Sequence, residues 1–200
     1  MEILTTLLRA AARLRSGKAL AVVAALGIAL APGQASAAEG SVEYAVKAAF
    51  LHKFGSFVEW PATAFASPAS PFQLCVVGED PFGAVLDKAV SGQQIANRPI
   101  EVRRLKAVRP DSGCHIVYLA ASEAQRLAQI IEALRGSSVL TVSDGRSPGV
   151  ATGIINFVIK DDRVRFDIDD EAAAQNRLAI SSKLLSVALS VKPRRIGEGR

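Results

Sequence analysis

Apolar residues recur every three or four positions along Tyr44 to Pro61, YAVKAAFLHKFGSFVEWP, where Val46, Phe50, Phe54, Phe57 and Val58 trace one side of a helix. That side is predicted to be buried. Trp60 stands directly before Pro61, and a proline disfavours helical geometry in the residue preceding it, so the helix is expected to end there. Packing into the core is the ordinary role for such a tryptophan. The alternative is a ring placed at the mouth of a partner-binding or ligand-binding surface.

Downstream, Ala62 to Pro71 is rich in Ala, Ser and Pro and reads as a surface loop. Phe72 to Val77 is a short apolar run closed by Gly78, as expected of a strand covered on both faces. Glu79-Asp80-Pro81 then starts a predicted helix over Phe82 to Val90, with acids and proline in its first turn. Ile100 to Leu105 alternates apolar and charged residues like a half-exposed edge strand. His115 to Leu119 is a second buried-strand candidate, followed by a helix from Ser122, its predicted N-cap, to about Leu134, with Gly136 as the stop. Val139 to Val142 gives a further strand before the turn-rich Ser143 to Gly149.

Ile154 to Ile159 and Val164 to Ile168 read as a hairpin joined at Asp161 and Asp162, with Val164, Phe166 and Ile168 facing inward. A last helix over Glu171 to Val191 is expected to bury Leu178, Leu184, Leu185, Val187 and Leu189. Strands alternating with helices imply an α/β fold: a single-domain three-layer sandwich whose mostly parallel sheet carries an antiparallel C-terminal hairpin. In the flavodoxin-like order 2-1-3-4, Phe72–Val77 and His115–Leu119 become neighbours.

Composition changes this picture mainly at the start of the chain. Arg9, Arg13, Arg15 and Lys18 precede an apolar run from Ala19 to Ala31, and Ala35-Ser36-Ala37 matches the small-residue site of signal peptidase. Residues 1–37 therefore read as a cleavable signal peptide and 38–200 as the mature domain, with a core over about 43–191. A retained anchor is the rival reading, for which the apolar run is short of the roughly 20 residues a span needs. The leader removes four of the 24 basic residues and one of the 19 acidic ones, leaving 20 and 18, a net charge of +2 in place of +5. No basic block with interleaved aromatics remains, which argues against nucleic-acid binding.

Candidate chemistry is sparse. Cys75 and Cys114 are the only cysteines; on adjacent strands of an exported chain they are expected to form a disulfide, with a redox switch or two buried thiols as alternatives. His52 and His115 have no nucleophile or acid at a motif spacing, and two cysteines with two separated histidines give no metal-ligand pattern. Catalytic residues, metals and cofactors are therefore not expected. Asp161, Asp162, Asp167, Asp169 and Asp170 read as the solvent side of the hairpin and its exit. The turn Val77 to Asp80 places acids where a phosphate would sit, and the glycines from Ser143 to Gly153 suit an ordinary surface loop or a mobile binding loop. Arg177, Ile180, Ser181 and Lys183 combine two cations, a hydroxyl and apolar surface in the last predicted helix. Solvent is the ordinary neighbour of such a face, and a partner surface near Trp60 is the alternative.

Together, KAAFLHKFGSFVEWP, QLCVVGEDPFG, CHIVYLA, INFVI and RLAISSKLLSVA resemble the YfiR family of periplasmic regulators across nearly all of Tyr44 to Val191. The resemblance implies an exported, non-enzymatic homodimer in the periplasm. Such a protein binds the periplasmic sensory domain of an inner-membrane diguanylate cyclase, holds it inactive, and so lowers cyclic di-GMP and biofilm output. It also implies an OmpA-like outer-membrane lipoprotein able to sequester the regulator. Some relatives carry a second disulfide, which two cysteines cannot supply. Trp60, Pro61, Arg177, Ile180, Ser181 and Lys183 are the expected contact residues. A periplasmic small-ligand sensor feeding another membrane receptor is the competing reading, with the glycine-rich loop closing beside Trp60.

Overall fold

An unbroken apolar run is stable as a strand only where both of its faces are covered, and three such runs build the centre of this molecule. The computed structural model describes residues 33–144 and 152–195; the predicted leader lies outside these except for residues 33–37, which open the first helix. In chain order, α1 (Gly33–Ser56) leads to β1 (Val58–Glu59), β2 (Phe72–Val77), α2 (Ala84–Val90), β3 (Gln94–Ile95) and β4 (Arg98–Leu105). There follow β5 (Ile116–Leu119), α3 (Leu127–Ala133), β6 (Leu140–Ser143), β7 (Ile155–Lys160) and β8 (Arg163–Asp169). The chain continues through α4 (Asp170–Gln175), β9 (Ala179–Ile180), α5 (Ser182–Leu185) and β10 (Ser190–Lys192).

Eight strands form one sheet in the order β10-β8-β7-β6-β5-β2-β4-β3, and β1 with β9 forms a separate two-stranded ladder. The block β4-β2-β5-β6 is parallel throughout and has the expected 2-1-3-4 order. Leu74, Val76, Ile116 and Tyr118 point to one side, where they pack with Ala48, Leu51 and Phe54 of α1 and Leu86 and Val90 of α2. Cys75, Val77, Val117 and Leu119 point to the other and pack with Leu127 of α3 and with Leu134. Period-two alternation thus supplies both faces from the same strands. The predicted hairpin is β7 with β8, antiparallel from Ile155↔Ile168 to Lys160↔Arg163. Asp161 and Asp162 take φ values of 50° and 54°, the left-handed pair that a two-residue turn needs.

Three local expectations are corrected. The buried side of α1 is Lys47, Ala48, Leu51 and Phe54; Val58 is buried but belongs to β1, while Val46 and Phe57, the latter just past the helix end, are 39% and 37% exposed. A lysine belongs to the stripe, so a count of apolar residues alone misplaces the face. Ser122 caps no helix: residues 121–123 form a 3-10 turn, α3 begins at Leu127, and the Ser122 hydroxyl accepts from the backbone N–H of Glu79 at 2.9 Å. It ties the loop after β2 to the loop after β5.

The long final helix does not exist. Arg177 has a φ of 59°, and the N–H groups of Leu178 and Arg177 donate to the carbonyls of Ala173 and Ala174, each at 2.9 Å. This left-handed helix stop ends α4 and frees the segment for β9, α5 and β10. Val187 is consequently 57% exposed, and Leu189 is only half-buried.

Candidate functional site

The helix stop at Arg177 and the proline after Trp60 together make a cleft. Leaving α1, the chain forms β1, which pairs antiparallel with β9 through Val58↔Ile180 and Glu59↔Ala179. The Ser181 N–H extends this ladder by donating to the Phe57 carbonyl at 2.9 Å. Two segments more than 100 residues apart are thereby clamped side by side. Trp60 and Pro61 from one, and Arg177 and Ala179 from the other, line an open cavity of about 390 Å³ that Glu59 and Arg194 also border.

Behind the cleft, Trp60 packs edge-on to Phe72 with ring centroids 5.0 Å apart. Phe72 lies against His115 at 4.8 Å, His115 against Phe65 at 4.4 Å, and the Arg98 guanidinium sits 3.9 Å from the Phe65 ring. The Trp60 indole Nε1 is buried and has no hydrogen-bond partner among the described residues. Its apolar edges are held by this stack, so the ring has a fixed direction at the cavity wall. Nδ1 of His115 accepts from the Gln73 N–H at 3.0 Å and Nε2 donates to the Ala64 carbonyl at 3.1 Å. Burial holds the His115 pKa below its ordinary value; the Ala64 bond opposes this and the Arg98 charge adds to it. His115 is a neutral structural residue.

A match to the protein family described as YfiR/HmsC-like spans residues 44–189, from the first turns of the buried part of α1 to just before β10. It includes both walls of the cleft. The chain belongs to the YfiR/HmsC-like family. No curated protein matches it.

Within this YfiR/HmsC-like chain the expected contact residues divide. Trp60, Pro61 and Arg177 come together at the cavity. Ile180 turns inward and is buried in the main core, because the residue paired with Val58 faces the sheet. Ser181 caps α5, its hydroxyl accepting from the Lys183 N–H at 3.2 Å, and Lys183 is exposed on that helix. Cys75 and Cys114 are joined, with Cα atoms 5.9 Å apart, in the cluster on the α3 side of the sheet.

Sequence reading misses a polar centre at the C-terminal ends of the parallel strands. Lys47 is completely buried, and its Nζ meets Oδ2 of Asp144 at 2.6 Å and also the Glu43 carboxylate. The same Asp144 oxygen accepts from the Tyr118 hydroxyl at 3.2 Å and the Tyr44 hydroxyl at 3.3 Å. Burial and the Asp144 charge push the Tyr118 hydroxyl well above its ordinary pKa. No short motif announces this centre, since its members span 100 residues of sequence and meet only after α1 docks.

Of the glycine-rich stretch, residues 145–151 lie outside the described residues. Its end is anchored: the Gly153 N–H donates to the Ser143 hydroxyl at 2.8 Å, and a Cβ at Gly153 would come within 2.7 Å of the Thr141 carbonyl oxygen. Only glycine fits there. Among the described residues no group of three His, Cys, Asp or Glu side chains is placed to hold a metal, and no helix is long and apolar enough to cross a membrane.

Proposed function

We propose that the protein is a non-enzymatic periplasmic regulator, cleaved after Ala37 on export to leave one domain over residues 38–200. In this reading it binds the periplasmic sensory domain of an inner-membrane diguanylate cyclase and keeps that enzyme inactive, lowering cyclic di-GMP and biofilm output. Membership of the YfiR/HmsC-like family carries the reading. The protein acts as a homodimer, and an OmpA-like outer-membrane lipoprotein relieves inhibition by sequestering it. A regulator of this kind needs no chemistry of its own. It shifts the receptor between two states by binding one of them more tightly.

The contact surface is assigned to the Trp60, Pro61 and Arg177 cleft. A rigidly backed tryptophan beside an arginine is the composition found at energetic centres of interfaces, and the β1 to β9 ladder supports such a role by holding the two segments that carry them at one cavity. Isothermal titration of the purified protein against a purified cyclase periplasmic domain tests it. Trp60→Ala is expected to weaken capture by about 2 kcal/mol, some thirtyfold, while circular dichroism shows a folded protein. Unchanged affinity in that folded variant removes the cleft from the interface.

The competing reading as a small-ligand sensor draws on the cavity, whose 390 Å³ lies within the range of small-molecule sites. Saturable quenching of Trp60 fluorescence by a small molecule, with no protein partner present, would favour that reading instead.

A further inference from the structure

The β7–β8 hairpin carries a charge pattern that the neighbouring C-terminal segment avoids. There, Lys192 meets Asp169 and Glu171 at 3.0 and 2.9 Å, Arg194 meets Asp170 at 2.8 Å, and Arg195 meets Glu171 at 3.0 Å. On the hairpin, Lys160 stands directly opposite Arg163, and Arg165 projects from the same face two residues further on. All three are exposed, and none forms an ion pair among the described residues. Like charges directly across a strand pair repel, so the fold bears this arrangement at a cost. Together with Asp161 and Leu189 the three cations line a hollow of about 290 Å³, in which positive charge is in excess.

The opposite face of the hairpin is apolar. Ile159, 47% exposed, and Val164 join Val42, Val46 and Phe50 of α1 around a groove of about 780 Å³, whose rim also carries Glu43 and Asp162. Val42 is 64% exposed. Arg163 borders the groove as well as the hollow, so one segment passing the hairpin would meet both. Val46 lies ten residues, about 15 Å of helix, before the end of α1, whereas the Trp60 cleft follows that end. The two surfaces are therefore distinct.

We propose that the hairpin and groove form a second docking surface. It takes an amphipathic segment of a protein partner whose apolar side chains enter the groove and whose carboxylates neutralise Lys160, Arg163 and Arg165. Charge complementarity at the hollow, where three cations face one carboxylate, selects this occupant. An anionic bilayer would meet Asp161 and Asp162 first, since they form the tip of the turn, and a second copy would bring the same cations to face these.

The test uses a fluorescein-labelled 14-residue helical peptide with leucine at spacings i, i+3, i+4 and i+7 and glutamate on the flanks, followed by anisotropy with the purified protein. Saturable, salt-sensitive binding is expected. It should weaken about tenfold or more in Arg163→Glu and again in Val46→Ser, and equally when the peptide's glutamates are replaced by lysine or its leucines by serine. Trp60→Ala should leave it unchanged, which separates this surface from the proposed cyclase contact. Arg165→Glu serves as a second variant if circular dichroism shows Arg163→Glu to be misfolded.

Absence of saturable binding, or equal binding of the glutamate and lysine peptides, overturns the proposal. So does binding confined to phosphatidylglycerol vesicles, and so does a sedimenting dimer that Arg163→Glu dissociates, because each assigns the surface to another occupant.

Discussion

Lys47→Met removes the one cation that, among the described residues, pairs with a carboxylate that has little access to water. The Asp144 side chain is 4% exposed and its Oδ2 atom receives Lys47 Nζ, Tyr118 and Tyr44. After the substitution two hydroxyl donors remain among the described residues, and the charge of Asp144 stays buried with no counterion among them. Breaking a buried pair from one side costs about 3 to 5 kcal/mol. The remaining hydroxyl bonds and the partial exposure of Glu43, whose side chain is 20% accessible, place the expected loss near the lower end, about 3 kcal/mol. For a domain of this size that corresponds to roughly 6 to 12 °C in Tm.

The assay is urea unfolding followed by circular dichroism, with Asp144→Asn added as the second arm of a double-mutant cycle. Neutralising the stranded carboxylate should recover part of the loss, so that Lys47→Met with Asp144→Asn is more stable than Lys47→Met alone. A single-variant loss below about 1 kcal/mol, or a double variant less stable than the parent by the full sum of the two single losses, refutes the buried ion pair as the lock between α1 and the sheet.

Three further outcomes follow from the same geometry. Replacing Cys75 and Cys114 together with alanine opens a loop closed over a sequence separation of 39; the loop-entropy relation assigns that closure about 4 kcal/mol, and a change in urea midpoint equivalent to less than about 1 kcal/mol would contradict it. The depressed pKa of His115 means that above about pH 6.5 both folded and unfolded chains hold it neutral and stability is complete. As pH falls below that value the unfolded chain takes up a proton that the folded chain refuses, so stability declines. His115→Phe should flatten this acid-side decline, and His52, whose pKa burial also lowers, supplies the residual slope; an identical slope in the variant would clear His115 of the effect. Arg177→Gly suits the left-handed φ of 59° and is expected to hold stability within about 1 kcal/mol, while removing one of the two arginines that border the cleft and weakening cyclase-domain capture severalfold. Equal capture by Arg177→Gly and the parent would take Arg177 out of the contact.

The parallel block was legible because its strands are buried on both faces and therefore read as unbroken apolar runs between turn residues. Phe72–Val77 and Ile116–Leu119 sit side by side as expected, and their adjacency is what made the cysteine pairing inferable. The hairpin was legible for a related reason: Phe166 and Ile168 alternate with charged residues across a turn of two aspartates, residues that tolerate positive φ. Legibility failed where a side chain acted out of character. Lys47 occupies the buried stripe of α1 because Asp144 neutralises it, and no local pattern reveals a counterion 97 residues away.

The missed helix end shows why the cleft was only half readable. A helix stop of the kind seen at Arg177 is ordinarily announced by glycine, which adopts positive φ without steric penalty. Arginine there sends no such signal, and the leucines beyond it keep a helical spacing that the chain does not use. Fixing the stop falls instead to Asn176: its amide donates to the Val139 carbonyl at 2.9 Å, and its Oδ1 accepts from the Gly136 N–H at 2.8 Å. Arg177 itself reaches back to the Gly136 carbonyl. The consequence reaches the site directly, because a continuous helix would have carried Ala179 and Ile180 away from Val58 and Glu59. Trp60 would then have had no opposing wall. A residue type poorly suited to the turn, held there by a buried asparagine, thus puts a cation where glycine would have left none. That is the arrangement expected if the side chain at position 177 serves the cleft as well as the fold.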